Sequence, residues 1–166
     1  MGSKNALAVM EDADLDLAVS LALGGAYGGS GQKCTASSRL VVHARIHDAF
    51  VEKMIAGAQA MVVGHALEAG TQIGPVVSAQ QLQENLANVA LGLSEGAELV
   101  CGGQQVERAS EGFYMSPGLF INSTNAMQIN REERFAPLAA MIKVDSYDEA
   151  LSVVNDTRFG LTSGSV

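Results

Sequence analysis

The chain has 166 residues, of which 48% are hydrophobic, so its length and composition suit one domain with a substantial core. Its 18 acidic residues outnumber the 10 basic ones and give a formal net charge of −8, without any Lys/Arg cluster, which argues against nucleic acid or an anionic membrane as a partner. No apolar run is long enough to span a membrane, and no signal-peptide pattern opens the sequence. The two cysteines do not form the pattern of a disulfide-stabilised secreted domain. We therefore expect a cytoplasmic protein.

Short apolar runs alternate along the chain with segments whose apolar residues recur at helical spacing. The apolar runs predict strands at residues 6–10, 39–43, 97–101, 140–144 and 161–166, and one more at 113–121 that Pro117 interrupts. Helical spacing predicts a helix after the acids of residues 11–14, and further helices at 46–63, 78–94 and 148–155. This alternation predicts an α/β fold with parallel strand pairs.

Particular residues mark the ends of these elements. Gly24 and Gly25 are predicted to end the first helix, and Ser78 is a predicted N-cap. Gly102 and Gly103 are predicted to end the strand before them.

The low charged fraction, 17%, has two readings. Another domain or subunit covers part of the surface, or the domain is small and well packed with an Ala- and Gly-rich surface; composition does not choose between them. The sequence opens almost directly into a strand and stops at residues 163–166 inside apparent sheet structure. We therefore expect a domain truncated at both ends.

The strongest local signal is the segment Tyr-Gly-Gly-Ser-Gly-Gln-Lys-Cys-Thr-Ala-Ser-Ser at residues 27–38. It places Cys34 in a loop of small residues between a helix and a buried strand, where a substrate can approach the thiol and backbone amides can serve as oxyanion donors. Lys33 would favour the thiolate if its side chain turns toward the sulfur. Taken alone, a free cysteine is more often a buried core residue than a nucleophile.

This segment resembles the active-site cysteine signature of the aldehyde dehydrogenase superfamily. That pattern has an aromatic or apolar residue, three free positions, Gly, Gln or Glu, any residue and then the cysteine, and Tyr27, Gly31, Gln32 and Cys34 fill these positions. The resemblance implies that Cys34 is the catalytic nucleophile. Together with its neighbour Thr35, Lys33 is then expected to line the substrate pocket.

A second segment, Glu-Glu-Arg-Phe-Ala-Pro-Leu at residues 132–138, resembles the family's Glu-Glu-x-Phe-Gly-Pro-Val. The resemblance implies that Glu133 holds the hydroxyls of the nicotinamide ribose and that Phe135 borders the nicotinamide of NAD or NADP. Ala136 stands where the family has Gly, and its methyl group could shift this loop.

Weaker matches extend the resemblance over essentially the whole chain. Residues 1–5 (Met-Gly-Ser-Lys-Asn) resemble the end of the family's Glu-Leu-Gly-Gly-Lys-Asn-Pro, residues 73–77 resemble a Gly-Pro loop, and 112–120 and 147–164 align in order. The implied fold is the three-layer catalytic domain of the family, a mostly parallel sheet with helices on both faces. The run Cys-Thr-Ala-Ser-Ser-Arg at 34–39 most resembles the branch that oxidises α-ketoglutaric semialdehyde.

The resemblance also implies what this chain leaves out. The family's general-base Glu aligns just before Met1, and its oxyanion Asn and cofactor-binding domain lie further upstream. The implied full-length enzyme is a homodimer or homotetramer that oxidises a small aldehyde through a thiohemiacetal and a thioester on Cys34. We expect the isolated 166-residue chain to be inactive.

Two other functions remain open at the level of sequence. One is a thiol hydrolase, which needs His43, His47 or His65 within hydrogen-bond reach of Cys34, although none of the three has metal-ligand spacing. The other is a non-catalytic module for subunit contact, in which Cys34 would react with iodoacetamide no faster than Cys101. Cys101 and the methionines are predicted to be core residues.

Overall fold

The structure is a computed structural model, and it describes residues 2–166. Its centre is a six-stranded sheet of order β3-β4-β5-β2-β1-β6, formed by β1 (Ala6–Val9), β2 (Arg39–His43), β3 (Glu98–Cys101), β4 (Gly118–Ile121), β5 (Leu138–Val144) and β6 (Ser163–Ser165). All neighbouring strands are parallel except β3, which runs antiparallel to β4. The mostly parallel sheet predicted from the sequence is therefore confirmed.

Helices cover both faces of this sheet and are named α1 (Leu15–Tyr27), α2 (Ala44–Ala60), α3 (Ala79–Ser94), α4 (Gln128–Arg131) and α5 (Tyr147–Asn155). Successive residues of each strand point to opposite faces, so Leu40 and Val42 of β2 pack with α1 and α2, while Val41 between them packs with α5. Helix α3 packs on the same face of the sheet as α5, against Phe120 of β4 and its neighbours. The three-layer arrangement is confirmed.

The first helix does not end at Gly24 and Gly25, as its sequence predicted, but continues to Tyr27. Gly25 lies against the chain that leaves the Cys34 loop: its carbonyl accepts the Ser37 N–H at 3.0 Å, and a Cβ atom on it would lie 3.2 Å from Ser37 Oγ. Gly25 therefore lets the Ser37 segment approach the helix closely and does not act as a C-cap.

The second helix is shifted toward the N-terminus of its predicted range, 46–63. It begins at Ala44 because His43 Nδ1 accepts the Arg45 N–H as an N-cap. It ends at Ala60 because the next residues turn into extended backbone, where Val63 forms a parallel bridge with Ile73.

Most other predicted ends are confirmed within a few residues. Ser78 caps α3 by accepting the Gln81 N–H, and Gly102 and Gly103 follow β3 with φ of 57° and 74°. The predicted strand at 113–121 is regular only after Pro117, since Phe113 and Met115 form isolated bridges.

No helix within residues 2–166 combines the length and the apolar character that a membrane crossing requires.

Candidate active site

Cys34 lies near the N-terminal ends of the neighbouring strands β1 and β2. It is an exposed residue in a tight turn, closed by a hydrogen bond of 3.0 Å from the Ala36 N–H to the Lys33 carbonyl. Its own backbone N–H donates to no acceptor among residues 2–166, so that donor is available to a bound molecule. A free amide beside an exposed thiol is the arrangement an oxyanion site needs.

The carbonyl of Cys34 is held by two buried side chains from the segment before β1. Asn5 Nδ2 donates to the carbonyl of Cys34 at 2.8 Å and to that of Ala36 at 3.0 Å, and Ser3 Oγ also donates to the Cys34 carbonyl. Asn5 is fixed in turn, because its Oδ1 accepts the Thr162 N–H at 3.2 Å. We call Ser3 and Asn5 the carbonyl clamp, and it fixes the peptide plane that follows Cys34.

The chain before Cys34 is wound tightly against a second loop. Gly29, Ser30 and Gly31 are consecutive left-handed residues with φ of 64°, 60° and 66°. Ser30 is the unusual one, since a side chain disfavours this conformation, and its buried Oγ donates to the Gly74 carbonyl at 2.8 Å. Gln32 Oε1 accepts the Val77 N–H at 2.9 Å. The cysteine loop is thus tied to the Gly-Pro loop at residues 73–77.

Gly31 brings the two principal motifs into direct contact. A Cβ atom placed on it would lie 1.9 Å from the carbonyl oxygen of Ala136 and 2.9 Å from the nitrogen of Pro137. Ala136 itself has an ordinary negative φ, and its methyl group is buried among apolar residues next to α3. The close approach therefore depends on Gly31, and the methyl group of Ala136 is accommodated by the core.

Glu133 and Phe135 line a cavity of about 430 Å³ together with residues of α3. Glu133 is half-buried, and its Oε1 accepts the Ser3 N–H at 2.8 Å. Phe135 is 37% exposed. Ser3 thus connects Glu133 to Cys34, and the structure brings together these two sequence-predicted residues.

The other two predicted site residues are exposed beside Cys34. The side chain of Lys33 lies along the backbone of Gly28 and Gly29, with Nζ at 3.2 Å from the position of a Cβ on Gly28. Thr35 is the second central residue of the turn.

Lys4, the residue between Ser3 and Asn5 of the carbonyl clamp, is buried. Burial, together with the nearby guanidinium groups of Arg134 and Arg39, lowers the pKa of Lys4 from 10.5 to about 7. Arg39 is also buried, and its Nε donates to the Lys4 carbonyl at 3.0 Å while its other nitrogens donate to the carbonyls of Val153 and Val154 at the end of α5. Arg39 therefore fixes the backbone of Lys4, the residue between Ser3 and Asn5.

The three histidines are engaged away from Cys34. His43 Nδ1 accepts the Arg45 N–H, His47 Nδ1 pairs with Asp48, and His65 Nδ1 accepts the Leu67 N–H. None forms a hydrogen bond with Cys34 in the described residues, so the structure gives no support to a Cys-His hydrolase. No group of three or more potential metal-binding side chains occurs among residues 2–166.

Cys101 differs from Cys34 in its burial. It is buried at the end of β3, and burial raises the pKa of its thiol. Sequence reasoning thus identified the correct burial for this residue. It missed the carbonyl clamp, although the resemblance at residues 1–5 was a signal that this segment belongs to the site. Met1, at the start of that resemblance, lies outside the described residues.

Comparison with known proteins gives one consistent result. A family model described as the aldehyde dehydrogenase family matches residues 1–166. The α-ketoglutaric semialdehyde dehydrogenase of Bacillus subtilis is 41% identical over 165 residues, covering 98% of this chain and 34% of that protein. The betaine aldehyde dehydrogenase of Mesorhizobium japonicum is 36% identical over 166 residues, covering 99% of this chain and 34% of that protein.

Solved structures agree in fold. HpcC from Thermus thermophilus superposes with a TM-score of 0.95 at 37% identity, covering 99% of this chain and 33% of that one. Betaine aldehyde dehydrogenase from Staphylococcus aureus, solved in complex with NAD+, superposes with a TM-score of 0.96 at 31% identity, over 99% and 33% of the two chains. The chain therefore spans about a third of the length of the curated relatives it matches.

Proposed function

The chain belongs to the aldehyde dehydrogenase family, and we propose that it supplies the nucleophile and part of the cofactor site of an enzyme that oxidises an aldehyde to a carboxylic acid with NAD or NADP. The observation that carries this proposal is the hydrogen-bonded connection between the exposed Cys34 and Glu133 through Ser3. It joins the residue suited to attack a carbonyl with the residue suited to hold a sugar diol.

Cys34 is the proposed nucleophile because its thiol is exposed and its backbone is held rigidly. As thiolate, its Sγ forms a bond to the aldehyde carbon, and the electron pair of the carbonyl bond moves to the oxygen. The free Cys34 N–H can donate to that oxyanion. The peptide that carries this N–H is held because its Lys33 carbonyl accepts the Ala36 N–H, and the carbonyl clamp holds the peptide that follows, so this donor is preorganised.

The residues around Glu133 fit the nicotinamide ribose of the cofactor. A carboxylate accepts hydrogen bonds from two neighbouring hydroxyls, and Glu133 retains lone pairs beyond those that Ser3 occupies. Space beside it depends on Gly2, since a Cβ there would lie 3.0 Å from Glu133 Oε2. The exposed ring of Phe135 offers an apolar face for a planar heterocycle.

When bound, NAD or NADP would supply the hydride acceptor. Transfer of the hydride from the aldehyde carbon leaves an acyl group on Cys34 Sγ as a thioester. Attack by water then forms the carboxylic acid, breaks the C–S bond and returns the thiol. Since the chain spans about a third of the length of its relatives, we assign the base that activates this water, the oxyanion Asn and the cofactor domain to the rest of the full-length protein.

For the substrate we propose a small semialdehyde such as α-ketoglutaric semialdehyde. The support is the identity of 41% to the Bacillus subtilis protein of that name, together with the segment at residues 34–39. Lys33 is the residue before Cys34, but its Nζ lies against Gly28, so it would reach a substrate carboxylate only after its side chain turns toward the sulfur. We further propose that the full-length enzyme is a cytoplasmic homodimer or homotetramer.

The proposal is tested with the full-length protein by following reduction of NAD+ and NADP+ in the presence of α-ketoglutaric semialdehyde. Cys34→Ser is expected to lower kcat by at least about 1000-fold, because an alcohol replaces the thiolate nucleophile. Cys101→Ser is the matched control and should retain turnover. Full turnover by Cys34→Ser would refute the assignment.

A further inference from the structure

We infer that Ser3 couples occupancy of the Glu133 site to the position of Cys34. This inference rests on the proposed function, since it names a positioning residue for the same site. Ser3 is not a catalytic residue here, because it reaches the reacting sulfur only through the backbone of Cys34.

The coupling follows from the number of hydrogens that Ser3 can donate. Its backbone N–H donates to Glu133 Oε1 at 2.8 Å. Its hydroxyl lies within hydrogen-bond reach of two acceptors, the Cys34 carbonyl and, at 3.3 Å, the same Glu133 oxygen. A hydroxyl has one hydrogen, so a stronger bond to the carboxylate weakens the bond to the Cys34 carbonyl.

Water cannot easily replace either bond. Ser3 and Asn5 are 5% and 4% exposed, so a lost hydrogen bond leaves a buried polar group. Asn5 is held by the carbonyls of Cys34 and Ala36 and by the Thr162 N–H. The Asn5 half of the carbonyl clamp is therefore fixed, and the Ser3 hydroxyl is the half that can change partner.

Ser3 stands where the family pattern has the second Gly of Glu-Leu-Gly-Gly-Lys-Asn-Pro. A glycine would keep the N–H that bonds Glu133 but would remove the hydroxyl that bonds Cys34. The connection is thus a property of this chain and does not follow from membership of the family.

Cofactor binding shifts this balance in one direction. Ribose hydroxyls that donate to the Glu133 carboxylate compete there with the Ser3 hydroxyl. That hydroxyl then donates fully to the Cys34 carbonyl and tightens the turn between Lys33 and Ala36. The thiol is therefore held most firmly when the hydride acceptor is present.

The test uses the full-length protein with Ser3→Gly, Ser3→Thr and the control Ser37→Ala, whose hydroxyl contacts neither Cys34 nor Glu133. Hydrogen exchange of the Ala36 amide, which closes the turn, reports how often the turn opens. We expect saturating NAD+ to slow this exchange by about fivefold in the wild type and in Ser37→Ala, the factor that corresponds to one hydrogen bond. In Ser3→Gly the cofactor effect should fall below about twofold.

Kinetics give a second measurement. Ser3→Gly should lower kcat by about fivefold and leave the aldehyde KM nearly unchanged, and Ser3→Thr, which keeps the hydroxyl, should restore kcat. A cofactor response that persists in Ser3→Gly overturns the inference. If the wild type oxidises no aldehyde, the proposed function fails. The hydrogen exchange of the Ala36 amide without cofactor still decides whether Ser3 holds the turn. Equal exchange rates in Ser3→Gly and Ser37→Ala would overturn that role of Ser3.

Discussion

Replacing Gly31 with alanine tests whether contact between the two motifs creates the site. An added Cβ would lie 1.9 Å from the Ala136 carbonyl oxygen, whereas real Cβ atoms essentially never approach closer than 3.0 Å. The loop of Cys34 and the segment of Phe135 must therefore separate by about 1 Å in Gly31→Ala. The obstacle is backbone, so no side-chain rotation can relieve the clash.

A displacement of this size is expected to lower kcat of the full-length enzyme by about 100-fold, because a reacting group misplaced by about 1 Å loses that much. The variant also places an alanine at φ 66°, which costs about 1 to 2 kcal/mol by itself. Thermal unfolding of the same protein should therefore show a lower Tm.

Gly96→Ala is the matched control, because Gly96 has φ 95° and a Cβ there would meet nothing within 4 Å. It carries the backbone cost without the clash, so its Tm should fall while kcat stays within about twofold of the wild type. If Gly31→Ala and Gly96→Ala have the same kcat, the contact between the loop and Ala136 is not needed for catalysis.

Three further predictions concern charge, cofactor binding and the domain itself. The pKa of Lys4 falls from 10.5 in the unfolded chain to about 7 in the fold, so its buried charge destabilises the protein fully below pH 7, and this cost disappears as the pH rises toward 10.5. Lys4→Met should therefore raise Tm most below pH 7. A gain in Tm that does not shrink with rising pH would contradict this. Glu133→Gln should raise the Kd of the cofactor by about tenfold in a fluorescence titration, and an unchanged Kd would remove Glu133 from the cofactor site. The isolated 166-residue chain should show no NAD(P)-dependent oxidation, and robust turnover of a simple aldehyde would contradict the assignment of the base and cofactor domain to other sequence.

The alternation of strands and helices could be predicted because apolar periodicity reports directly which residues face the core. Val41 and its neighbours Leu40 and Val42 show this, since they alternate between the two covered faces of the sheet. The N-cap of α3 was also local information, as Ser78 bonds an amide three residues along the chain.

Features that depend on distant partners could not be predicted in this way. Helix α1 continues through Gly25 because the chain near Ser37 packs against it, which no local propensity reports. The short α4 was missed because its first amides are capped by Glu95, whose carboxylate accepts the Gln128 N–H at 2.7 Å from 33 residues away.

The site residues also fall into those that the sequence pattern could indicate and those that it could not. The pattern around Cys34 and the segment with Glu133 and Phe135 could be recognised in the sequence as resemblances, and their roles remain predictions. Ser3 was not recognised as their link, nor Asn5 as the other half of the carbonyl clamp, because a serine and an asparagine have no pattern that shows which carbonyls they will bind. Only the fold, which sets the start of β1 beside the Cys34 turn, brings them together.

If Cys34 carries the acyl group during aldehyde oxidation, that group can be trapped on it. The full-length protein would be mixed with a semialdehyde and saturating NAD+ or NADP+, quenched in acid within the first turnover, digested and examined by mass spectrometry. We expect an acyl adduct on the peptide that contains Cys34 and no adduct in Cys34→Ser. Aldehyde oxidation that proceeds with no adduct on Cys34, or with the acyl group on another residue, would contradict it.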